Sequence, residues 1–328
     1  MVFELKIWYK IELFGSLLII LFGGIYEMFY SNEIGHVYIP GALVIGLIWL
    51  IFSLIIFYEG RKDGKSIKTP VNEFVHVFTD YKFLLRQLVG RDFSVKYRRS
   101  YLGFLWTIIN PLLTMIVMSA VFAYIFKIST QNYALYLIIG NVTFNCFSEA
   151  TQLALLSIVG SGQLIKKVYM PKYIFPLSKA MFSFINYLIS LIPVGMVMIY
   201  YKVAITKYIV LIPVVAFFLF LFAVGIGLVL ATFQVTMRDT QYLYGIVLVL
   251  WTYLTPIFYT FESISPSLQK IIAFNPMYIY INCMREILVY NSFPRPYEMA
   301  GGLLYGVVLF TIGIYYFYRH QKKFILHI

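Results

Sequence analysis

Charged residues are scarce in this 328-residue sequence: they make up 12% of it, whereas a soluble domain carries roughly 25%. Hydrophobic residues reach 61% and aromatic residues 19%. This balance excludes an ordinary soluble domain. Several apolar runs reach the length of about 20 residues that a helix needs to cross the hydrocarbon core of a bilayer. The sequence therefore predicts an all-α integral membrane protein with several spans.

Cysteine and histidine are nearly absent, and this excludes two kinds of site. The two cysteines, Cys146 and Cys283, lie in or beside apolar segments, which favours packing over a disulfide framework. The four histidines have no partner at the spacing of a metal site, and the 14 acidic residues are scattered along the chain. No serine–histidine–aspartate or cysteine–histidine arrangement is apparent. We expect this chain to have no catalytic residue and to bind no metal and no cofactor.

A nucleotide-binding loop is missing as well. Gly64-Lys65-Ser66 resembles the end of a Walker A loop, but Glu59 stands where that loop needs its first glycine, and the segment follows an apolar run rather than a buried strand. Any energy that the chain uses must then come from a separate ATPase subunit or from an ion gradient. Glu149 lies near the middle of an apolar run and is a candidate functional carboxylate, although one carboxylate is a weak basis for ion coupling.

Basic residues are concentrated in short loops between the apolar runs. The net charge of +12 would suit a nucleic-acid-binding protein, but this distribution follows the positive-inside rule and excludes nucleic acid as the partner. Under that rule all but six of the 26 lysines and arginines are cytoplasmic, and so are both chain termini. The six exceptions are Lys127, Lys202, Lys207, Lys270, Arg285 and Arg295.

The apolar pattern divides the chain into three regions. Residues 1–70 hold two apolar runs, Leu13–Tyr30 and Val37–Tyr58, followed by a basic loop, and they predict a transmembrane hairpin. Residues 71–100 combine apolar residues at helical spacing with basic ones, which predicts an amphipathic helix on the cytoplasmic membrane surface. Residues 101–328 form the core of the protein.

The core region predicts six spanning helices and two short external ones. The spans are Tyr101–Phe126, Tyr133–Ile158, Tyr173–Tyr201, Tyr208–Thr236, Gln241–Tyr259 and Met299–Tyr318. Between the last two, prolines and charged residues interrupt the apolar pattern, and irregular backbone at membrane depth is tolerated only where protein or water satisfies it. We therefore expect external or re-entrant helices at about Ser265–Ala273 and Met277–Tyr290.

Four motifs in a fixed order carry a family resemblance. They are a basic-aromatic run with Leu-Gly and Trp (residues 96–106) followed by Asn110-Pro111, a Leu-Ile-Lys-Lys segment (164–167) followed by Met170-Pro171, the pair Arg238-Asp239, and Asn275-Pro276 with Arg285-Glu286. From about Val71 to the C-terminus the sequence resembles permease subunits of ABC exporters for O-antigen, capsule and teichoic acid, the type-2 ABC exporter membrane domain. The N-terminal hairpin of residues 13–58 departs from this pattern.

The resemblance implies a permease that works as a homodimer with two copies of a separate ABC ATPase subunit, which binds ATP and Mg²⁺. The implied substrate is an undecaprenyl-pyrophosphate-linked polysaccharide, such as O-antigen or teichoic acid. The implied location is the bacterial cytoplasmic (inner) membrane. An ABC exporter of drugs or other small molecules is the alternative, and a membrane enzyme that acts on lipid-linked sugars is a third interpretation.

Two candidate sites lie toward the cytoplasm. The segment implied to couple the permease to the ATPase contains Gly162, Leu164, Lys166, Lys167, Met170 and Pro171. Guanidinium groups at headgroup level bind phosphate bidentately. We therefore expect an entrance for the lipid pyrophosphate at Lys96, Arg98, Arg99 and Tyr101. General attraction of anionic lipid is the alternative role of this basic cluster.

Aromatic residues are the candidates for the translocation path, because flat rings offer apolar faces to sugar C–H groups. The expected path residues are Trp106, Phe122, Tyr124, Trp251 and Tyr253. Packing or a membrane-interface belt is the alternative role of these rings. We interpret the remaining motif residues as structural turns and the external segment: Asn110, Pro111, Arg238, Asp239, Asn275, Pro276, Arg285 and Glu286.

Overall fold

The computed structural model describes residues 74, 77, 78, 80–98, 100–126, 132–168 and 170–327. The predicted N-terminal hairpin and its basic loop lie outside the described residues, and so does Arg99. The described part of the chain contains helices and connecting turns and no strand, so the all-α prediction is confirmed. The described helices are α1 (Lys82–Tyr97), α2 (Trp106–Phe126), α3 (Tyr133–Gly160), α4 (Gly162–Lys167), α5 (Ile174–Tyr200), α6 (Ile212–Thr236), α7 (Thr240–Leu254), α8 (Pro266–Ala273), α9 (Pro276–Leu288), α10 (Pro296–His320) and α11 (Phe324–His327).

Five of the described helices are long and apolar enough to cross a membrane: α2, α3, α5, α6 and α10. The fifth predicted span, Gln241–Tyr259, forms a shorter helix, since α7 has 15 residues and ends at Leu254. The cause is Pro256. A residue that precedes a proline is pushed out of the helical region, and Thr255 is extended with φ −101° and ψ 128°.

The spanning helices pack around α3. Helix α3 lies against α5 and α6, and α6 lies along α10. Glycines permit the close approach of α6 and α10: a Cβ atom added at Gly225 would lie 2.4 Å from the backbone of Leu309, and one at Gly313 would lie 2.4 Å from the carbonyl oxygen of Gly225. Small residues at such crossings allow the backbones of membrane helices to come together. Helix α2 is peripheral, because none of its apolar span is buried inside the subunit.

Arg285 holds the broken end of α7 in place. Its guanidinium is fully buried and donates hydrogen bonds to the carbonyl oxygens of Pro256 (2.7 Å), Ile257 (3.3 Å) and Tyr136 (3.2 Å). It also lies over the ring of Tyr136, 3.3 Å from the ring centroid. These carbonyls belong to buried residues and need hydrogen-bond donors from the protein. The buried guanidinium supplies them where Pro256 interrupts the helical backbone.

The segment before the core packs against it through one apolar face. Leu85, Leu88 and Val89 of α1 are buried, and α1 lies on α5. Phe83 and Val95, on other faces of the helix, are 70% and 73% exposed. The predicted amphipathic helix over residues 71–100 thus has its regular part at Lys82–Tyr97. Its placement on the cytoplasmic membrane surface stays a prediction.

The two short helices between α7 and α10 agree closely with the predicted segments. Helix α8 begins one residue after the predicted start, and α9 covers Pro276–Leu288 where Met277–Tyr290 is predicted. Both helices begin with a proline at their first position, where its missing N–H costs nothing. Asn275 caps α9, its side chain accepting a hydrogen bond from the Met277 N–H at 3.0 Å.

Gly225→Ala and Gly313→Ala should each destabilise the protein by about 1–3 kcal/mol, because the new methyl group forces α6 and α10 apart. Thermal unfolding of the purified protein in detergent measures this. Gly195→Ala in α5 is the matched control, since a Cβ there meets nothing within 4 Å. It should be neutral or stabilising by up to about 1 kcal/mol, the helix-propensity difference between glycine and alanine. Equal stability of all three variants would contradict the close packing of α6 and α10.

Candidate functional site

A polar cavity lies among α1, α2, α3 and α5. Its volume is about 570 Å³, within the roughly 300–1,000 Å³ typical of ligand sites. Its lining residues are Lys96, Tyr97, Trp106, Thr107, Asn110, Pro111, Val142, Asn145, Cys146, Ser148, Glu149, Gln152, Ser183, Asn186, Tyr187 and Ser190. Most of these side chains carry an amide or a hydroxyl group, although three of the helices that supply them are long enough to cross a membrane.

Helix α3 supplies a polar stripe to the cavity. Asn141, Asn145, Ser148 and Gln152 recur every three or four residues, which puts them on one face of the helix. The stripe is linked internally: Asn145 Nδ2 donates to Asn141 Oδ1 at 2.9 Å, and Gln152 Nε2 donates to Ser148 Oγ at 3.3 Å. Asn145 and Gln152 are exposed. Polar residues in a spanning helix face a protein interior or a water-filled cavity.

An ion pair joins α1 to α3 at the cavity. Lys96 Nζ lies 2.7 Å from Glu149 Oε1, and the Ser183 hydroxyl of α5 donates to Glu149 Oε2 at 2.7 Å. Both charged side chains remain partly exposed, at 42% for Lys96 and 33% for Glu149. The carboxylate near the middle of the predicted span therefore has a cation and a hydroxyl as its partners, and α1, α3 and α5 meet through it.

A second polar network closes the wall between α1, α2 and α5. The hydroxyls of Tyr97 and Thr107 lie 2.5 Å apart, and the Tyr97 hydroxyl donates to Asn186 Oδ1 at 3.4 Å. Asn186 is 4% exposed, and its Nδ2 has no hydrogen-bond partner among the described residues. The wall thus contains a buried donor that the described part of the protein leaves unpaired.

Asn110-Pro111 has a structural explanation in this wall. Proline has no N–H, so Pro111 leaves the carbonyl of Thr107, four residues earlier in α2, without its helical partner. The Ser190 hydroxyl of α5 lies 2.9 Å from the Asn186 carbonyl and 3.4 Å from the freed Thr107 carbonyl, and its single proton is shared between the two. The interruption in α2 is therefore satisfied by a neighbouring helix, as membrane depth requires.

The predicted path residues lie in different places. Trp106 lines the cavity and is 42% exposed, whereas Tyr253 is 66% exposed on α7. Phe122 stacks on Phe258, with ring centroids 5.3 Å apart. Trp251 packs against the rings of Phe147 and Phe222 and donates its Nε1–H to Asn275 Oδ1 at 2.8 Å. Tyr124 belongs to α2, but its side chain lies outside the described part of the structure.

Of the four predicted entrance residues, one lines the cavity and the others follow it closely in the sequence. The structure describes three of the four. Lys96 lines the cavity and is paired with Glu149. Arg98 and Tyr101 are exposed at the end of α1 and just beyond it. Arg99 lies outside the described residues. The binding of a pyrophosphate here stays a prediction.

The predicted coupling segment forms a short helix with a cationic outer face. In α4, Gly162 and Ile165 are buried while Lys166 and Lys167 are exposed. Leu164 and Met170 pack partly buried against the core, and Pro171 stands before α5. Lys172 follows: its amine donates to the Gln321 carbonyl beyond α10, and burial lowers the pKa of this amine.

The remaining motif residues serve local structure. Arg238 and Asp239 form the exposed turn between α6 and α7, and the Arg238 carbonyl accepts a hydrogen bond from Gln234 at 3.1 Å. Asn275-Pro276 starts α9. Glu286 of α9 pairs with Arg295 at 3.4 Å, which ties that helix to the start of α10.

Two features escaped the sequence reasoning. The amide stripe of α3 has a signal in the sequence, because Asn141 and Asn145 lie four residues apart and Gln152 follows seven residues later, which is unusual in an apolar run. The ion pair of Lys96 with Glu149 could not be predicted from the sequence, because 53 residues separate the two. Among the described residues, no group of three or more histidine, cysteine, aspartate or glutamate side chains could hold a metal ion.

Helices that cross a membrane, a polar cavity among them and a short cationic helix between two spans define a membrane transport protein rather than an anchor. The chain belongs to the ABC-2 type transporter family, whose model matches residues 84–289. It is similar to the O-antigen export system permease protein RfbA of Klebsiella pneumoniae, 28% identical over 244 residues that cover 74% of this chain and 93% of that protein. The RfbA of Myxococcus xanthus is 28% identical over 247 residues, 74% of this chain and 95% of that protein. The predicted family is confirmed.

Lys96→Met and Glu149→Gln, alone and combined, should give a coupling free energy of about 0.5–1 kcal/mol, the range for partly exposed ion pairs. Thermal unfolding of the purified variants in detergent yields the double-mutant cycle. Lys179–Asp92 provides a matched control, because it joins α5 to α1 at 2.8 Å and neither residue lines the cavity. Both pairs should couple, but only the change at Lys96–Glu149 should alter transport. A coupling free energy of zero would show that this pair does not hold α1 to α3.

Proposed function

We propose that this chain is the membrane-spanning subunit of an ATP-driven exporter that moves an undecaprenyl-pyrophosphate-linked polysaccharide across the bacterial cytoplasmic membrane. The observation that carries the proposal is the polar cavity among spanning helices, which continues into the basic end of α1. An exporter of apolar drugs would need an apolar cavity. The similarity to O-antigen export permeases supports the same cargo class.

The cationic end of α1 is the proposed entrance for the lipid pyrophosphate. Arg98 and Arg99 supply guanidinium groups, which bind phosphate bidentately, and the exposed Tyr101 adds a hydroxyl beside them. Lys96 contributes less to this anion site, since Glu149 already neutralises it. The pyrophosphate stays at headgroup level, where water still solvates part of its charge.

A second copy of the chain is the proposed partner of the exposed faces of α2 and α7. Each of these helices leaves apolar side chains uncovered within the subunit, and large exposed apolar patches mark interfaces with protein or lipid. The set comprises Leu113, Ile116, Val117 and Val121 of α2 and Tyr242, Ile246, Val249, Leu250 and Tyr253 of α7. The path between the copies passes Trp106, Phe122, Tyr124 and Tyr253, while Trp251 supports this wall from inside the subunit.

ATP hydrolysis belongs, in this proposal, to two copies of a separate ATPase subunit, which hold ATP and Mg²⁺. Helix α4 is the proposed contact, because its exposed Lys166 and Lys167 can meet an acidic surface while its buried Gly162 and Ile165 anchor it to the permease. A rigid, anchored element of this kind transmits movement to the spanning helices. The chain itself performs no chemistry on the cargo, and both of its termini are cytoplasmic.

Deleting the gene should remove the polysaccharide from the cell surface and leave it attached to its lipid carrier on the cytoplasmic side. Extraction of lipid-linked glycans and surface labelling measure the two pools, and a plasmid copy of the gene should restore the original distribution. Unchanged surface polysaccharide, or a changed sensitivity to drugs alone, would contradict the proposed cargo.

Lys166→Glu with Lys167→Glu should weaken binding of the ATPase by about tenfold or more, because like charges now face each other across the contact. Co-purification of the permease with its ATPase measures the loss. Lys202→Glu with Lys207→Glu is the matched control, since those lysines lie between α5 and α6 at the other end of the helices. If the α4 pair leaves the complex intact, or if the control pair weakens it equally, α4 is not the contact.

A further inference from the structure

We propose that the cavity among α1, α2, α3 and α5 binds one or two uncharged sugar units of the cargo, and that phosphate-bearing units are poor ligands for it. This inference rests on the proposed function and adds to it the charge class of the cargo at this site. It also places a sugar-binding site inside each subunit, beside the path between two copies, with Trp106 at the border of both.

Charge balance in the cavity carries the argument. Of its sixteen lining residues, Lys96 and Glu149 alone are charged, and they form an ion pair with each other at 2.7 Å. The cavity therefore offers no net positive charge to a ligand. An anion that enters such a site loses hydration without gaining a cation, which is unfavourable. A neutral polyol meets no such penalty.

The chemistry of the walls fits sugar hydroxyls. Amide side chains donate and accept hydrogen bonds at once, and so do hydroxyls, which matches the mixed character of a sugar ring. Asn145 and Gln152 present amides on the open side of the cavity, and Asn186 brings a buried Nδ2 that no described residue accepts from. Trp106 adds an exposed indole, whose face can cover the apolar C–H side of a ring.

Size and position limit the ligand further. A volume of about 570 Å³ suits a small ligand and not a long chain, so one or two sugar units fill it. Lys96, which lines the cavity, is two residues from Arg98 and three from Arg99 in sequence. The anionic linkage of the lipid carrier can therefore stay at the basic entrance while the neighbouring sugar occupies the cavity.

Saturation-transfer difference NMR tests the inference on the full chain in lipid nanodiscs, with lactose and glycerol 3-phosphate as probes. Lactose should give a saturable signal. Because glycerol 3-phosphate can also bind the basic entrance, it is measured on Arg98→Ala with Arg99→Ala, where it should give no signal above nanodiscs without protein while lactose still binds. Asn145→Leu with Gln152→Leu should weaken lactose binding by about tenfold, the effect of one or two lost hydrogen bonds. Gln241→Leu, a matched change at the start of α7 that does not line the cavity, should bind lactose as the unchanged protein does.

Three outcomes would overturn the inference: glycerol 3-phosphate bound as well as lactose by the variant without Arg98 and Arg99, no lactose signal, or a lactose signal that survives the α3 double variant. The gene-deletion experiment keeps the two proposals apart. If surface polysaccharide depends on the gene but the cavity fails the binding test, the inference alone is wrong. If surface polysaccharide does not depend on the gene, the proposed function is wrong, regardless of the result of the lactose binding test.

Discussion

Backbone groups at membrane depth need a partner in the protein or in a water-lined cavity, and the described bundle is arranged around that requirement. Pro256 ends α7 early and exposes carbonyls, which the guanidinium of Arg285 satisfies. Pro111 frees a carbonyl in α2, which the Ser190 hydroxyl satisfies. In both places a break in one helix fixes the position of another, so the same contacts that remove an energetic cost also set the geometry of the bundle.

The cavity differs from these satisfied breaks, because its polar groups outnumber the partners that the subunit provides. In the α3 stripe, Asn145 donates one hydrogen bond to Asn141 and Gln152 donates one to Ser148. Each amide has further donor and acceptor capacity beyond these bonds. Asn186 retains an unpaired donor among the described residues. A stable core would bury apolar side chains at these positions. In the proposed exporter, these amides would face a polar ligand.

The fold could be predicted from the sequence where length and apolar composition decide the outcome. Helix α3 was expected at Tyr133–Ile158 and occupies Tyr133–Gly160, and α8 differs from its prediction by one residue. The predicted end of α7 is too late. The apolar composition continues past Leu254, but Pro256 forces Thr255 out of the helical conformation. The orientation of individual side chains could not be predicted. Nothing in the sequence shows that Trp251 bonds to Asn275 while Trp106 lines a cavity.

The early end of α7 has a consequence for the thickness of the barrier that a cargo crosses. Fifteen residues at the rise of an α-helix extend about 22 Å, against about 30 Å for the hydrocarbon core. The remaining quarter or so of that thickness is left to the extended chain after α7 and to the short helices α8 and α9 that follow it. In the proposed exporter, a hydrophilic polymer that leaves along α7 would reach hydrated surroundings well before the outer headgroups, and the apolar stretch it has to traverse would be correspondingly shorter.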